Sequence, residues 1–184
     1  MNSKIAEQSE ILAGLASLRP DLSERGLEPE VSYVKILSAL EQFGECVRYL
    51  NTRRSRGATL NLENEADVQD AIYLMLRPWI TDLVSENPTD KVGNRHAIKD
   101  FLAPAARTVI EAKFIRDQSH GKNVSKELHD DIEVYRHHPK CDHLIFFVYD
   151  PDSLIPDVMA LRREMATNRL YDNRPLQCHL VVRP

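Results

Sequence analysis

One spacing stands out along the chain. Tyr33, Ile36, Leu40, Phe43, Val47 and Leu50 recur at intervals of 3, 4, 3, 4 and 3 residues, a heptad seam that predicts a helix running to about residue 52. A seam of this length either packs on a neighbouring helix of the same chain or holds two copies of the protein together. The candidate neighbour is residues 3–18, where Ile5, Leu12, Leu15 and Leu18 form a stripe that Arg19-Pro20 ends. These two segments predict an N-terminal helical arm over residues 1–57 and a second domain over 58–184. Gly44 weakens the second helix slightly.

Beyond "NTRRSRGATLNLE" the periodicity changes. Asn64 reads as an N-cap, and "EADVQDAIYLMLR" as a helix that Pro78 stops, with Val68, Ile72 and Met75 on its apolar stripe. Glu65 and Gln69, four apart, make a polar ridge beside that stripe. A strand is expected over 80–86, then a turn-rich connection, "NPTDKVGNRH". Strands over 97–102 and 107–114, joined by "APAA", suggest an antiparallel hairpin. A helix over about 123–137 buries Val124, Leu128, Ile132 and Tyr135, with Asp130, Asp131 and Glu133 largely elsewhere. "HLIFFVY" is apolar on both faces, the pattern of a central strand reached from its parallel neighbour by a helical crossover. A helix over 155–168 and a short strand, "CHLVV", complete an α/β sandwich: a mixed sheet flanked by helices.

Within this frame the triplet Glu111-Ala112-Lys113 is out of place. Strand geometry puts Glu111 and Lys113 on one face, roughly 7 Å apart, with Ile110, Ala112 and Phe114 on the other. Simple alternation describes a strand with one face in water. If the strand lies inside the sheet, both faces are covered, and unpaired buried charge costs several kcal/mol. Glu111 and Lys113 then need a counter-charge or a cation and water. Asp100, on the preceding strand of the hairpin, is placed to meet Glu111 across the pair. Two convergent carboxylates with a backbone carbonyl suit Mg²⁺ or Mn²⁺, and a lysine beside them suits hydrolysis of a phosphodiester.

Composition changes this picture little. The chain has 184 residues, 42% hydrophobic and 28% charged, enough to bury a core. The net charge of −4 falls entirely in residues 61–184, because residues 1–60 carry eight charges of each sign. An acidic balance argues against a domain that grips nucleic acid by bulk charge. It argues less against a metal-dependent nuclease, whose cation reverses the local sign. The three cysteines, Cys46, Cys141 and Cys178, fit a reduced compartment, and the cytoplasm is the expected location. No apolar run approaches a membrane span, and "MNSKIAEQSEILAGL" lacks a secretory pattern. His129, His137 and His138 complete no zinc set, and neither a GxSxG elbow nor a glycine-rich phosphate loop occurs.

Asp100, ten intervening residues, then Glu111-Ala112-Lys113 on a hairpin followed by a helix and an apolar strand resembles the PD-(D/E)XK nuclease superfamily. "NEADVQDAIYLMLRPW", "KDFLAPAARTVIEAKF" and "ELHDDIEVYRHHPKCDHLIFFVYDP" together look like its DpnII/MboI-like restriction-endonuclease branch, over about residues 62–155. The resemblance implies a restriction-endonuclease-like fold and a Mg²⁺- or Mn²⁺-dependent endonuclease acting on double-stranded DNA in a restriction or phage-defence setting. It implies Asp100, Glu111 and the Ala112 carbonyl as metal ligands, Lys113 as the catalytic lysine, Glu65 as a further acid holding water or a second metal, and Gln69 in support. Lys99 stands where the nominal motif has proline, a common departure. Arg53, Arg54, Arg56, Arg116, Lys122 and Lys126 are candidates for DNA backbone contacts. The competing expectation is a catalytically silent DNA-binding or assembly subunit that keeps the fold and uses the arm as its interaction surface.

Overall fold

In a computed structural model, residues 31–52, 60–85, 91–92, 95–96, 100–166, 169–171 and 174–184 are described. The helix expected over 3–18, Arg53, Arg54, Arg56 and Lys99 lie outside these residues.

Ser32, whose side chain accepts from the Lys35 amide, caps α1 (Tyr33–Glu41). A turn at Gln42 separates it from α2 (Phe43–Thr52), so the single helix expected to residue 52 is broken. The cause is distant in sequence. Arg183 Nε donates to the Glu41 carbonyl at 2.9 Å, and the same guanidinium pairs with the Glu41 carboxylate. With that carbonyl diverted, the amides of Glu45 and Cys46 both turn to the Gln42 carbonyl. The apolar seam survives the break. Ile36, Leu40 and Phe43 are fully buried and Val47 nearly so, packed with Val68 and Ile72 of α3 (Glu65–Leu76). The Phe43 ring lies 4.7 Å from that of Phe147 on the sheet. The seam from Ile36 to Val47 is therefore used within the chain. Val31–Pro184 form one compact unit, and the boundary expected at 57/58 falls on residues outside those described.

Six strands form the main sheet in the order β1-β4-β5-β6-β8-β7: β1 Val84–Ser85, β4 Phe101–Ala103, β5 Thr108–Phe114, β6 His143–Tyr149, β7 Arg169–Tyr171 and β8 Arg174–Arg183. A separate two-stranded ladder, β2 (Lys91–Val92) and β3 (Arg95–His96), falls where a turn-rich connection was expected. Within the main sheet β4 pairs antiparallel with β5, and β5, β6 and β8 run parallel. The expected hairpin and central strand are both present. The strand expected over 80–86 shrinks to two residues because 81–82 form a turn. At the β4–β5 turn Arg107 takes a left-handed φ of 49°, held by its side chain's bonds to Asp142 and to the Pro139 carbonyl.

Both faces of the sheet are covered. Ile110, Ala112, Ile145, Phe147 and Val181 face α1, α2 and α3. Val109, Leu144, Phe146, Val148 and Val182 face α4 (Gln118–Tyr135) and α5 (Val158–Met165). α4 starts five residues before its expected position, because Asp117 caps it by accepting from the His120 amide. Among the described residues, no helix is long and apolar enough to cross a membrane.

Candidate active site

The face of β5 that carries Glu111 and Lys113 looks toward α4, not into water. Glu111 is 5% exposed and Asp100 5% exposed, so two carboxylates are buried in adjacent segments. Extending the β4–β5 register (Phe101 opposite Ile110) by one residue sets Asp100 opposite Glu111. Asp100 is fixed at both oxygens. Oδ2 accepts from the Ala112 amide at 2.5 Å, and Oδ1 accepts from Gln69 Nε2 at 2.9 Å. The residue that holds Asp100 to β5 is thus the one between Glu111 and Lys113. Gln69, expected to support Glu65, supports Asp100 directly.

Glu111 is fixed at both oxygens as well. Tyr135 donates its hydroxyl to Oε2 at 2.7 Å, and Lys113 Nζ donates to Oε1 at 3.2 Å. Lys113 Nζ also lies 3.2 Å from Asp131 Oδ2. Asp131 and Tyr135 are one turn apart on α4 and meet β5 side chains two residues apart. Tyr135, expected as core, is only 2% exposed, and its hydroxyl is nonetheless committed to the site. Contrary to expectation, Asp131 does not lie away from the buried face. It turns inward, half-buried, and pairs with Lys113. A signal for this exists in the sequence: Val124, Leu128, Asp131 and Tyr135 are spaced 4, 3 and 4, so Asp131 lies on the apolar stripe itself.

Burial raises the Asp100 carboxyl from 3.8 to about 6; Glu65 adds to the rise, and the Ala112 amide, Lys113 and Gln69 oppose it. Burial likewise raises Glu111 from 4.5 to about 8, with Asp100 and Asp131 adding and Lys113 and Tyr135 opposing. Asp131 is also raised, by burial first. At Lys113 burial acts to lower the pKa, but Glu111, Asp131 and Glu65 together outweigh it and the net shift is upward. Lys113 thus touches two of the acids, Glu111 and Asp131, and feels the charge of Glu65 as well. Fully ionised, the cluster would carry more negative charge than Lys113 can neutralise; the raised carboxyls answer this by holding protons, and a divalent cation is the other way to answer it.

Glu65 and Lys113 share the wall of a cavity of about 470 Å³ that also reaches Arg116, His120 and Glu127. Asp100 opens on a second hollow, of about 430 Å³, beside Gln69, Tyr73 and Phe101. Glu111 lines neither. His120, 8% exposed at the first cavity with Nε2 3.3 Å from Glu127, is a site neighbour that sequence reasoning passed over as loop. Of the candidate DNA contacts, Arg116 belongs to this cavity, Lys122 borders a smaller hollow between α4 and α5, and Lys126 is exposed on α4.

Among the described residues no three His, Cys, Asp or Glu side chains are arranged to hold a metal ion. That excludes an all-protein cage from them. It leaves the arrangement usual for Mg²⁺, one or two carboxylates with water completing the shell. The donor set fits that chemistry: two buried, mutually repelling carboxylates, all oxygen, with no thiolate or imidazole between them.

No curated protein and no solved structure matches the chain. The family model for DpnII-MboI restriction endonucleases (REase_DpnII-MboI) matches residues 35–184, from the first described helix to the last residue. With the mixed sheet and the Asp100–Glu111–Lys113 grouping already in place, that match over most of the chain is decisive: the chain belongs to the DpnII/MboI family of restriction endonucleases, enzymes that cleave DNA.

Proposed function

We propose that this chain hydrolyses the backbone of double-stranded DNA with Mg²⁺ or Mn²⁺ held by Asp100 and Glu111, with Lys113 acting on the attacking water. The observation that carries the reading is the 2.5 Å bond from the Ala112 amide to Asp100, which brings the three side chains to one point of β5. The amide and carbonyl of a strand residue point to the same side. The Ala112 carbonyl is thus directed beside Asp100, past the end of β4 pairing at Ile110, and is the third protein oxygen for the ion.

A divalent ion there supplies Lewis-acid polarisation of the phosphate and acidification of water. The residues supply the rest. Asp100 and Glu111 are positioned before any ligand arrives, so little reorganisation is needed at the moment of reaction. Lys113 stays an ammonium, so it does not accept a proton. It donates hydrogen bonds that orient the water, and it balances charge developing on the phosphate. Glu65, on the wall that Lys113 shares, holds a further water at the cavity. Arg116 meets the DNA backbone as the strand enters. Restriction or phage defence in the cytoplasm is the setting in which such an enzyme works.

Plasmid cleavage in Mg²⁺ tests this. Asp100→Ala and Lys113→Ala are each expected to slow cleavage by about 10²–10⁴-fold, the range for losing a positioned catalytic group. Cleavage at the wild-type rate in both variants rejects the site. Failure of the wild type on plain, methylated and single-stranded DNA and on RNA favours the silent binding subunit.

A further inference from the structure

Oε1 of Glu111 has two claimants. Lys113 holds it at 3.2 Å, yet in the proposed reaction the same oxygen faces the cation, since Tyr135 occupies Oε2 at 2.7 Å. Lys113 cannot simply depart, because the attacking water needs it. Asp131 offers a solution. Its Oδ2 lies 3.2 Å from Lys113 Nζ and is buried, and among the described residues nothing donates a hydrogen bond to it. It is an acceptor at contact distance with unused capacity.

We propose that Asp131 and Tyr135 are positioning residues of the site: Tyr135 anchors Glu111 by Oε2, and Asp131 takes over Lys113, so that Oε1 is released to a divalent cation without the ammonium leaving. This rests on the reading of Asp100 and Glu111 as the metal-holding pair. Their placement on α4 suits the task. Residues four apart lie on one helix face about 6 Å apart, which matches the spacing of alternate side chains on β5. A rigid helix thus fixes the distance between the anchor and the acceptor. Lys113 needs only a small swing about its own long side chain to pass from one carboxylate to the other, and its charge stays compensated throughout.

The two roles differ in how they act. Asp131 works through Lys113, whereas Tyr135 works on Glu111 directly. Calorimetric titration of the full chain with Mn²⁺, in the absence of DNA, separates them. Asp131→Asn is expected to weaken Mn²⁺ binding by roughly three- to thirtyfold, within the range of coupling between contacting residues, because Lys113 then competes for Oε1 without an alternative. Lys113→Ala, with the competitor gone, is expected to bind more tightly than wild type. In the Lys113→Ala background Asp131→Asn should have no further effect. Tyr135→Phe should weaken binding in both backgrounds. Thermal unfolding of each variant, run alongside, confirms that folded protein is being titrated.

Equal weakening by Asp131→Asn with and without Lys113 overturns the takeover, since the carboxylate would then act by its charge alone. A melting temperature that falls while Mn²⁺ affinity stays unchanged overturns it too, as a purely structural role. Unchanged affinity in Tyr135→Phe overturns the anchor. A wild type that takes up no Mn²⁺ fails at the metal-site reading itself, and that result is distinguishable from the others because no variant is needed to obtain it.

Discussion

Glu111 is where function and stability oppose each other most directly. Its carboxyl is raised from 4.5 to about 8 by burial first and then by Asp100. Between those two values the folded protein binds more protons than the unfolded chain, so ∂ΔG/∂pH is negative and stability falls as pH rises. Asp100, raised to about 6, adds to the fall in the lower part of the window. Glutamine keeps the shape and cannot ionise. In EDTA, Glu111→Gln should melt close to wild type at pH 5 and several degrees above it at pH 8.5. Mn²⁺ should raise the wild-type midpoint at pH 8.5 and leave the variant unmoved, by mass action on a site it no longer has. Calorimetric scans at the two pH values check this, and equal wild-type midpoints in EDTA at both would contradict it. The residues of this site were unequally legible. Asp100, Glu111 and Lys113 could be read because a charged alternation inside an apolar strand is costly and needs a reason. Asp131 and Tyr135 were not, because one acid on a helix stripe looks like an accident and one tyrosine looks like core. Their contacts with Lys113 and Glu111 exist only once α4 is laid across β5.

Elements show the same division between local and distant causes. β5 and β6 were readable because each is a run of seven residues whose pattern is complete in itself. The break at Gln42 was not, since the arginine that takes the Glu41 carbonyl lies 142 residues away. The start of α4 was hidden by Gly121, which reads as a loop residue. The structure gives it a different reason. A Cβ at this position would lie 2.4 Å from the Leu154 carbonyl oxygen and 2.7 Å from its carbon, so the glycine lets α4 and the loop before α5 approach. Alanine favours a helix over glycine by about 1 kcal/mol. Forcing backbone apart in a packed region costs about 1–3 kcal/mol, and the clash outweighs the propensity. The net cost is up to about 2 kcal/mol, so Gly121→Ala should lower the melting temperature by up to about 8 °C, taking ~2–4 °C per kcal/mol for a chain of this size. Because α4 also carries Asp131 and Tyr135, cleavage should fall more than the remaining folded fraction accounts for. An unchanged midpoint would show that the loop yields freely.

At the scale of the whole molecule, the order of elements was enough to place β5 inside a mixed sheet, since a doubly apolar strand must be central. What order could not supply is the destination of the heptad seam. Its spacing serves a partner helix or a covering layer equally well, and only the buried contacts of Ile36, Leu40 and Phe43 with α3 and β6 decide for the second. Charge is the other global property, and it sets a condition on substrate binding. The formal excess of −4 resides in residues 61–184, and Glu65, Asp100, Glu111 and Asp131 are among the acidic groups there. Phosphate approaching this cluster without a cation is repelled over a range set by the Debye length, ~8–10 Å near physiological salt. At pH 8.5, where Asp100 and Glu111 are both largely ionised, removing their two charges should therefore do part of the cation's work. In a Lys113→Ala background, which prevents turnover, Asp100→Asn with Glu111→Gln should bind a DNA duplex more tightly than the parent in EDTA, by about threefold to tenfold at low salt, the order of one or two weak surface-type charge interactions. Mn²⁺ should tighten the parent and barely affect the double substitution, so that the two affinities converge. Raising the salt should close the gap from the other side, by screening. Fluorescence anisotropy across a salt series, with and without Mn²⁺, reads all three effects. Equal affinities in EDTA would mean that the DNA does not approach this cluster, and the carboxylates would then have to serve some purpose other than cleavage.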